Sequence, residues 1–261
     1  MNEAPRDPSD ETQNALAQLL MGIADDEFVI GFWDSEWTGI APMLEEDVAT
    51  SSISQDEIGH ARALYELLAG LTGQDADAIA FGRAPEGYRH AALMNHPRTD
   101  WAFTIARRYL YETADAVRLE ALSRSSYEPL AQLAAKMRRE ERYHLMHLDT
   151  WLRRLAADAD AKARLASALR ALWKDALAIF SPVPSEDLLV RGGELPEPMD
   201  SLRARWLEQV SAVLGDLGLP GPSPDDLAAG TEDGRTRRTD DFRWLHGEFT
   251  MVAASERGAT W

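Results

Sequence analysis

Two stretches of this chain carry an acid, then a glutamate, then a histidine three residues on: Asp56-Glu57-Ile58-Gly59-His60 and Glu140-Glu141-Arg142-Tyr143-His144. Residues three apart share one face of an α-helix, so Glu57 with His60, and Glu141 with His144, can each present an oxygen and a nitrogen to a single ion. Each pair is half of a metal site. A dimetal carboxylate centre built inside a helix bundle uses two such pairs and one further Glu from each of two other helices. Glu27, 30 residues before Glu57, and Glu112, 29 before Glu141, are placed to supply them. The spacing also repeats, with 85 residues from Glu27 to Glu112 and 84 from Glu57 to Glu141, which reads as an internal duplication of a helix hairpin. The plain alternative is a solvated helix face for each pair, and a buried salt bridge to arginine for Glu27 and Glu112.

Four carboxylates and two imidazoles form a hard-to-borderline donor set that suits two iron ions, with manganese as the substitute, and suits copper or structural zinc poorly. Bridged by Glu57 and Glu141, two iron ions could deliver electrons to dioxygen; the protein's share is open coordination positions and a dry pocket. Asp56 and Glu140 stand four residues before His60 and His144, within reach of the N–H that a ligating imidazole leaves free. Trp33, Trp37, Trp101, Tyr109 and Tyr111 are candidates to line the pocket. His147 is a spare histidine one turn past His144, and His90, His96 and His246 have no partner at ligand spacing. There are no cysteines, so no iron–sulfur cluster, disulfide or thiol nucleophile is available. With no Gly-rich flavin or nicotinamide fingerprint either, an oxygenase of this kind would draw electrons from a separate reductase.

The elements that must position these groups read as helices. Ala, Leu, Glu and Arg recur at helical spacing, and alternating β-branched runs are missing. Helices are expected near residues 14–36 and 44–69, a short one near 76–82, then 99–123, 128–157, 160–180, 199–216 and 239–256. Gly70 and Gly73 should end the second, Thr99 or Asp100 should cap the next long one, and Pro129 suits a first turn. Pro182, Pro184, Pro196 and Pro198 suggest a long irregular connection. The fold expected is all-α, a ferritin-like four-helix bundle over about 14–157 with additional C-terminal helices wrapping it over about 160–256. Residues 1–13 read as a flexible tail.

Composition bounds the partners. The net charge of -17 repels phosphate backbones and anionic headgroups, which argues against nucleic acid and membrane surfaces. No apolar run approaches the roughly 18 residues of a membrane span, and the N-terminal segment lacks the basic-then-apolar order of an export signal, so a cytoplasmic protein is expected. Arg107, Arg108, Arg138 and Arg142 are available for an anionic substrate but are expected to be solvated ion pairs.

Several strings carry a family resemblance: Asp25 to Trp37, Asp56 to Arg62, Phe103 to Tyr109 and Arg139 to Leu145, with a looser likeness around Thr239, Leu245, Glu248 and the closing Trp261. Here the chain resembles the phenylacetic acid catabolic proteins, the A-type and C-type components of the bacterial multicomponent phenylacetyl-CoA epoxidase, and most closely the C type. The resemblance implies a cytosolic core of both types in which the A type carries the di-iron centre and the C type is a structural partner that commonly lacks part of the ligand set. Glu27, Glu57, His60, Glu112, Glu141 and His144 nonetheless stand at the A-type ligand positions in this C-like chain. Two readings follow from the resemblance: an oxygenase component with an intact dimetal site acting on an aromatic acyl-CoA, or a non-catalytic structural subunit. A ferritin-like ferroxidase is the third reading, for which the helices beyond residue 160 are superfluous. The assembly implied is a homo-oligomer, or a hetero-oligomer with a homologous A-type subunit.

Overall fold

A computed structural model describes residues 8–229 and 234–255. The ten α-helices among them are α1 (Pro8–Ser35), α2 (Leu44–Thr72), α3 (Ala76–Phe81), α4 (Trp101–Leu122), α5 (Glu128–Ala156), α6 (Ala159–Ala176), α7 (Glu186–Gly192), α8 (Met199–Asp216), α9 (Pro224–Ala228) and α10 (Asp240–Ser255). No strand occurs among the described residues. The four long helices α1, α2, α4 and α5 form the bundle as two hairpins, α1 with α2 and α4 with α5, and α2 packs on α5.

Burial divides these four into two kinds. From Ala15 to Asp34, α1 is covered on nearly every side, and so is α4 from Ala102 to Leu122, whereas α2 and α5 bury one face and leave the other in water. A helix covered all round needs neighbours beyond the bundle. The later helices supply them: α6 and α8 lie on the back of α4, and α7 and α10 on the back of α1. Trp206 of α8 donates its indole N–H to Thr113 of α4 at 2.9 Å. Trp244 of α10 stacks on Trp33 of α1.

Local signals set most boundaries. Gly73 adopts φ +71° and returns its N–H to Ala69 O, a left-handed cap that ends α2 three residues later than expected; Gly70 sits inside the helix. Asp100 caps α4 by accepting from the Phe103 N–H at 2.8 Å. Pro129 lies in the first turn of α5. Two expectations need correction. Helix α1 begins at Pro8, so residues 8–13 of the expected tail are helical, while 1–7 lie outside the described residues. The proline-marked connection holds α7, which starts after Ser185 and stops at Gly193, φ +83°; the prolines flank this short helix and do not interrupt it.

Candidate metal centre

The six ligand candidates come from four different helices and meet in the middle of the bundle. Glu27 projects from α1, Glu57 and His60 from α2, Glu112 from α4, and Glu141 and His144 from α5; all six are buried. One close approach makes the first half possible. A Cβ on Gly31, one turn past Glu27, would lie 2.8 Å from Ile58 Cγ1, 3.1 Å from Glu57 Cβ and 3.2 Å from the Ser54 carbonyl. Only glycine lets α1 settle this near α2, and the Ser54 hydroxyl fastens the contact by donating to Gly31 O at 2.5 Å.

Two quartets of donor atoms result: Glu27, Glu57, His60 and Glu141, then Glu57, Glu112, Glu141 and His144, with the atoms of each quartet within 4.8 Å of one another. Glu57 and Glu141 belong to both. His60 Nδ1 lies 3.4 Å from Glu27 Oε2, 3.8 Å from Glu57 Oε2 and 3.4 Å from Glu141 Oε1. His144 Nδ1 lies 3.5 Å from Glu57 Oε1, 3.5 Å from Glu112 Oε2 and 3.3 Å from Glu141 Oε2. The inward atoms Glu27 Oε2, Glu57 Oε2, His60 Nδ1, Glu112 Oε2, Glu141 Oε1, Glu141 Oε2 and His144 Nδ1 are all buried and accept or donate no hydrogen bond. Buried polar atoms are normally satisfied, and isolated orphans are costly. Seven orphans converging on one pocket, five carboxylate oxygens and two imidazole nitrogens, fit a pair of divalent ions.

The outward atoms are tied down. His60 Nε2 pairs with Glu140 at 2.9 Å and His144 Nε2 with Asp56 at 3.3 Å. This corrects the expected pairing: each acid serves the histidine of the facing helix rather than the one four residues along its own. The reason is direction, because Nδ1 of each ring points inward and its Nε2 points across the α2–α5 seam, where the partner helix holds its acid. Either way the hydrogen bond fixes the tautomer that leaves Nδ1 free to ligate. Tyr111 donates to Glu27 Oε1 at 2.6 Å.

Electrostatics press the same demand. Burial first, then the neighbouring Glu57 and Asp115 carboxylates, push the Glu27 carboxyl well above its usual range. Glu57 is held low: burial opposes its charge, but Glu27, both imidazoles and Arg108 outweigh it. His60 is pushed up to about 12 and His144 to about 10, since the carboxylates around them overcome the burial that disfavours their charge. The cluster therefore draws positive charge strongly, as cation or as proton.

Of the aromatic candidates, only Tyr111 touches the cluster. Trp33 donates to Met94 O, Trp37 donates to Thr104 and meets the half-buried Trp101 edge to face, and Trp33, Trp37 and Tyr109 are core. His147 pairs with Glu46 at 2.7 Å, away from the site. Arg138 and Arg142 are exposed as expected, but Arg107 and Arg108 are buried, a second correction. Arg108 reaches into the site, contacting Glu57 Oε1 at 2.7 Å and also Glu112 Oε1, while its other arm and Arg107 hold Asp34. Its position four residues before Glu112, on the same helical face, was the available signal. Below the cluster, Asp26 takes Arg118 Nη1 and Arg235 Nη2, both at 2.9 Å, and Asp25 takes Arg83. These acids next to Glu27 in sequence are neutralised by arginines brought from distant helices and loops, which leaves Glu27 as the one that faces the centre.

Comparison with known proteins identifies the family. The sequence is 30% identical over 223 residues, 85% of the chain and 90% of its relative, to the C component of the 1,2-phenylacetyl-CoA epoxidase of Escherichia coli K12. It is 28% identical over 233 residues, 87% of the chain and 75% of the relative, to the A component of that enzyme from the same organism. The sequence model of the phenylacetic acid catabolic proteins matches residues 1–261. The chain, a ferritin-like helical bundle along its described length, is a member of the phenylacetic acid catabolic protein family.

Proposed function

We propose that this chain is a metal-binding subunit of a cytoplasmic, multicomponent di-iron monooxygenase that acts on an aromatic acyl-CoA in the aerobic breakdown of phenylacetate. The observation that carries the reading is the convergence of seven unpaired inward donor atoms, with Glu57 and Glu141 common to both quartets. Glu27, Glu57, His60 and Glu141 would hold one iron, and Glu57, Glu112, Glu141 and His144 the other; manganese would occupy the same donors. Ions so held supply electrons to dioxygen. The chain's own residues do the rest. Glu140 and Asp56 fix the two rings, the Tyr111 hydroxyl orients Glu27, and the largely covered helices α1 and α4 keep bulk water from the centre. Electrons come from a separate reductase, since the chain holds no cysteine for a cluster. A homologous A-type subunit is the partner, on the strength of the two relatives.

One observation favours the alternative of a structural, metal-free subunit: Arg108 lies against Glu57 and Glu112 and offers part of the positive charge the cluster requires. Anaerobic loading of the purified chain with ferrous iron, desalting and metal analysis separates the two. Retention of one to two iron per chain supports the oxygenase component. Retention of none overturns it in favour of the structural subunit.

A further inference from the structure

The two halves of the pocket are chemically unequal, and one side chain makes them so. On the Glu27 side, all four donors, Glu27 Oε2, Glu57 Oε2, Glu141 Oε1 and His60 Nδ1, are free of hydrogen bonds. On the Glu112 side, Glu112 Oε2, Glu141 Oε2 and His144 Nδ1 are free, but the fourth, Glu57 Oε1, accepts from Arg108 Nη2 at 2.7 Å. The same nitrogen bonds Glu112 Oε1. Arg108 cannot swing away into water. Its side chain is 3% exposed, its other arm is held by the fully buried Asp34, and Asp34 is held in turn by Arg107 at 3.0 Å. A fixed guanidinium thus competes for one donor oxygen of the second half and places a like charge beside any cation that enters there.

We infer that Arg108 orders the filling of the centre: the Glu27–Glu57–His60–Glu141 half takes the first divalent cation, and the Glu57–Glu112–Glu141–His144 half takes the second more weakly, after Glu57 gives up its arginine. Arg108 is a positioning residue that acts through Glu57 and Glu112, with no contact to substrate implied. The inference rests on the proposed reading of the pocket as a metal site. It also reconciles the two readings of the family resemblance, because a chain of this kind holds one ion firmly and a second only when supply or a partner protein favours it.

Calorimetry with Mn2+ on the full-length chain reads the order directly. In the wild type, two binding steps are expected, separated by about tenfold or more in affinity, given a like charge fixed beside the weaker half. In Arg108→Met, which leaves Asp34 paired with Arg107, the steps should converge. His144→Ala and His60→Ala retain Arg108 and serve even if Arg108→Met fails to fold. His144→Ala should keep the tight step within about threefold, and His60→Ala should lose it, as expected when a ligand of only one half is removed. Equal steps in the wild type, an unchanged gap in Arg108→Met, or loss of the tight step in His144→Ala with its survival in His60→Ala would each overturn the inference while leaving the metal site standing. If wild-type protein takes up no Mn2+ and no iron, the metal reading itself falls and the ordering falls with it.

Discussion

Gly31 and Gly59 offer a matched pair of substitutions that tests how closely α1 and α2 approach. Both are helix-interior glycines, so replacing either by alanine gains the same intrinsic term of about 0.8–1.0 kcal/mol. Their surroundings differ. A Cβ at Gly59 meets nothing within 4 Å, whereas one at Gly31 comes within 2.8 Å of Ile58 Cγ1, 3.1 Å of Glu57 Cβ and 3.2 Å of Ser54 O. The Ile58 atom can rotate away, but the Glu57 Cβ and the Ser54 carbonyl move only with the helix. Overpacking of that kind costs about 1–3 kcal/mol. Gly59→Ala should therefore be stabilising, Gly31→Ala neutral to destabilising by about 2 kcal/mol, and the difference between them about 1–3 kcal/mol whatever the helix term. Urea unfolding with unchanged m-values measures it. Because the shift of α1 also carries Glu27 from Glu57, Gly31→Ala should weaken metal uptake as well. Gly31→Ala as stabilising as Gly59→Ala would show that the helices do not meet at this point and would remove the basis for the first half of the centre.

Asp26→Asn should cost about 3–5 kcal/mol in the same unfolding assay, because it strips the charge that Arg118 and Arg235 share in the interior; a change under about 0.5 kcal/mol would mark the pair as no more than a surface contact. Glu140→Gln and Asp56→Asn should each lower iron affinity by about 10–100-fold. Those acids are 37% and 46% exposed, so unfolding should hardly change; undiminished iron affinity would dismiss the cross-helix pairing. The Asp175 carboxyl sits below its ordinary value of 3.8, since His96 and Arg237 outweigh the burial that opposes its charge. Its contribution to stability is therefore complete above pH 3.8 and is lost as pH falls through the lower folded-state value, a slope that Asp175→Asn should flatten in acid unfolding.

The six-residue cluster was legible because it obeys local rules. Glu57 with His60 and Glu141 with His144 share a face by helical geometry alone, and Glu27 and Glu112 were found by the repeated interval. What lay hidden depends on how helices face each other. Asp56 and Glu140 were recognised as partners for imidazoles, but which imidazole each serves is decided across the α2–α5 seam, and spacing along one helix carries no information about that. Arg107 and Arg108 looked like surface cations by residue type. They are buried because both turn inward onto Asp34 of α1, and Arg108 reaches on to Glu57 of α2, a consequence of how α4 faces residues more than 50 positions upstream. Gly31 gave no signal in a single sequence, since a helical glycine marks a close approach only once its neighbour is known. In contrast, the ends of α2, α4 and α5 were readable from Gly73, Asp100 and Pro129, whose effects are confined to a turn.

Anomalous diffraction at the iron edge, from crystals of the chain loaded with ferrous iron, shows whether six side chains from four helices hold a pair of ions. Two peaks roughly 3.5–4 Å apart are expected, as in two-metal sites generally, with the Glu57 and Glu141 carboxylates between them and His60 and His144 on either side. A map with no iron peak in this pocket, and Arg108 still lying against Glu57 and Glu112, would contradict the dimetal centre.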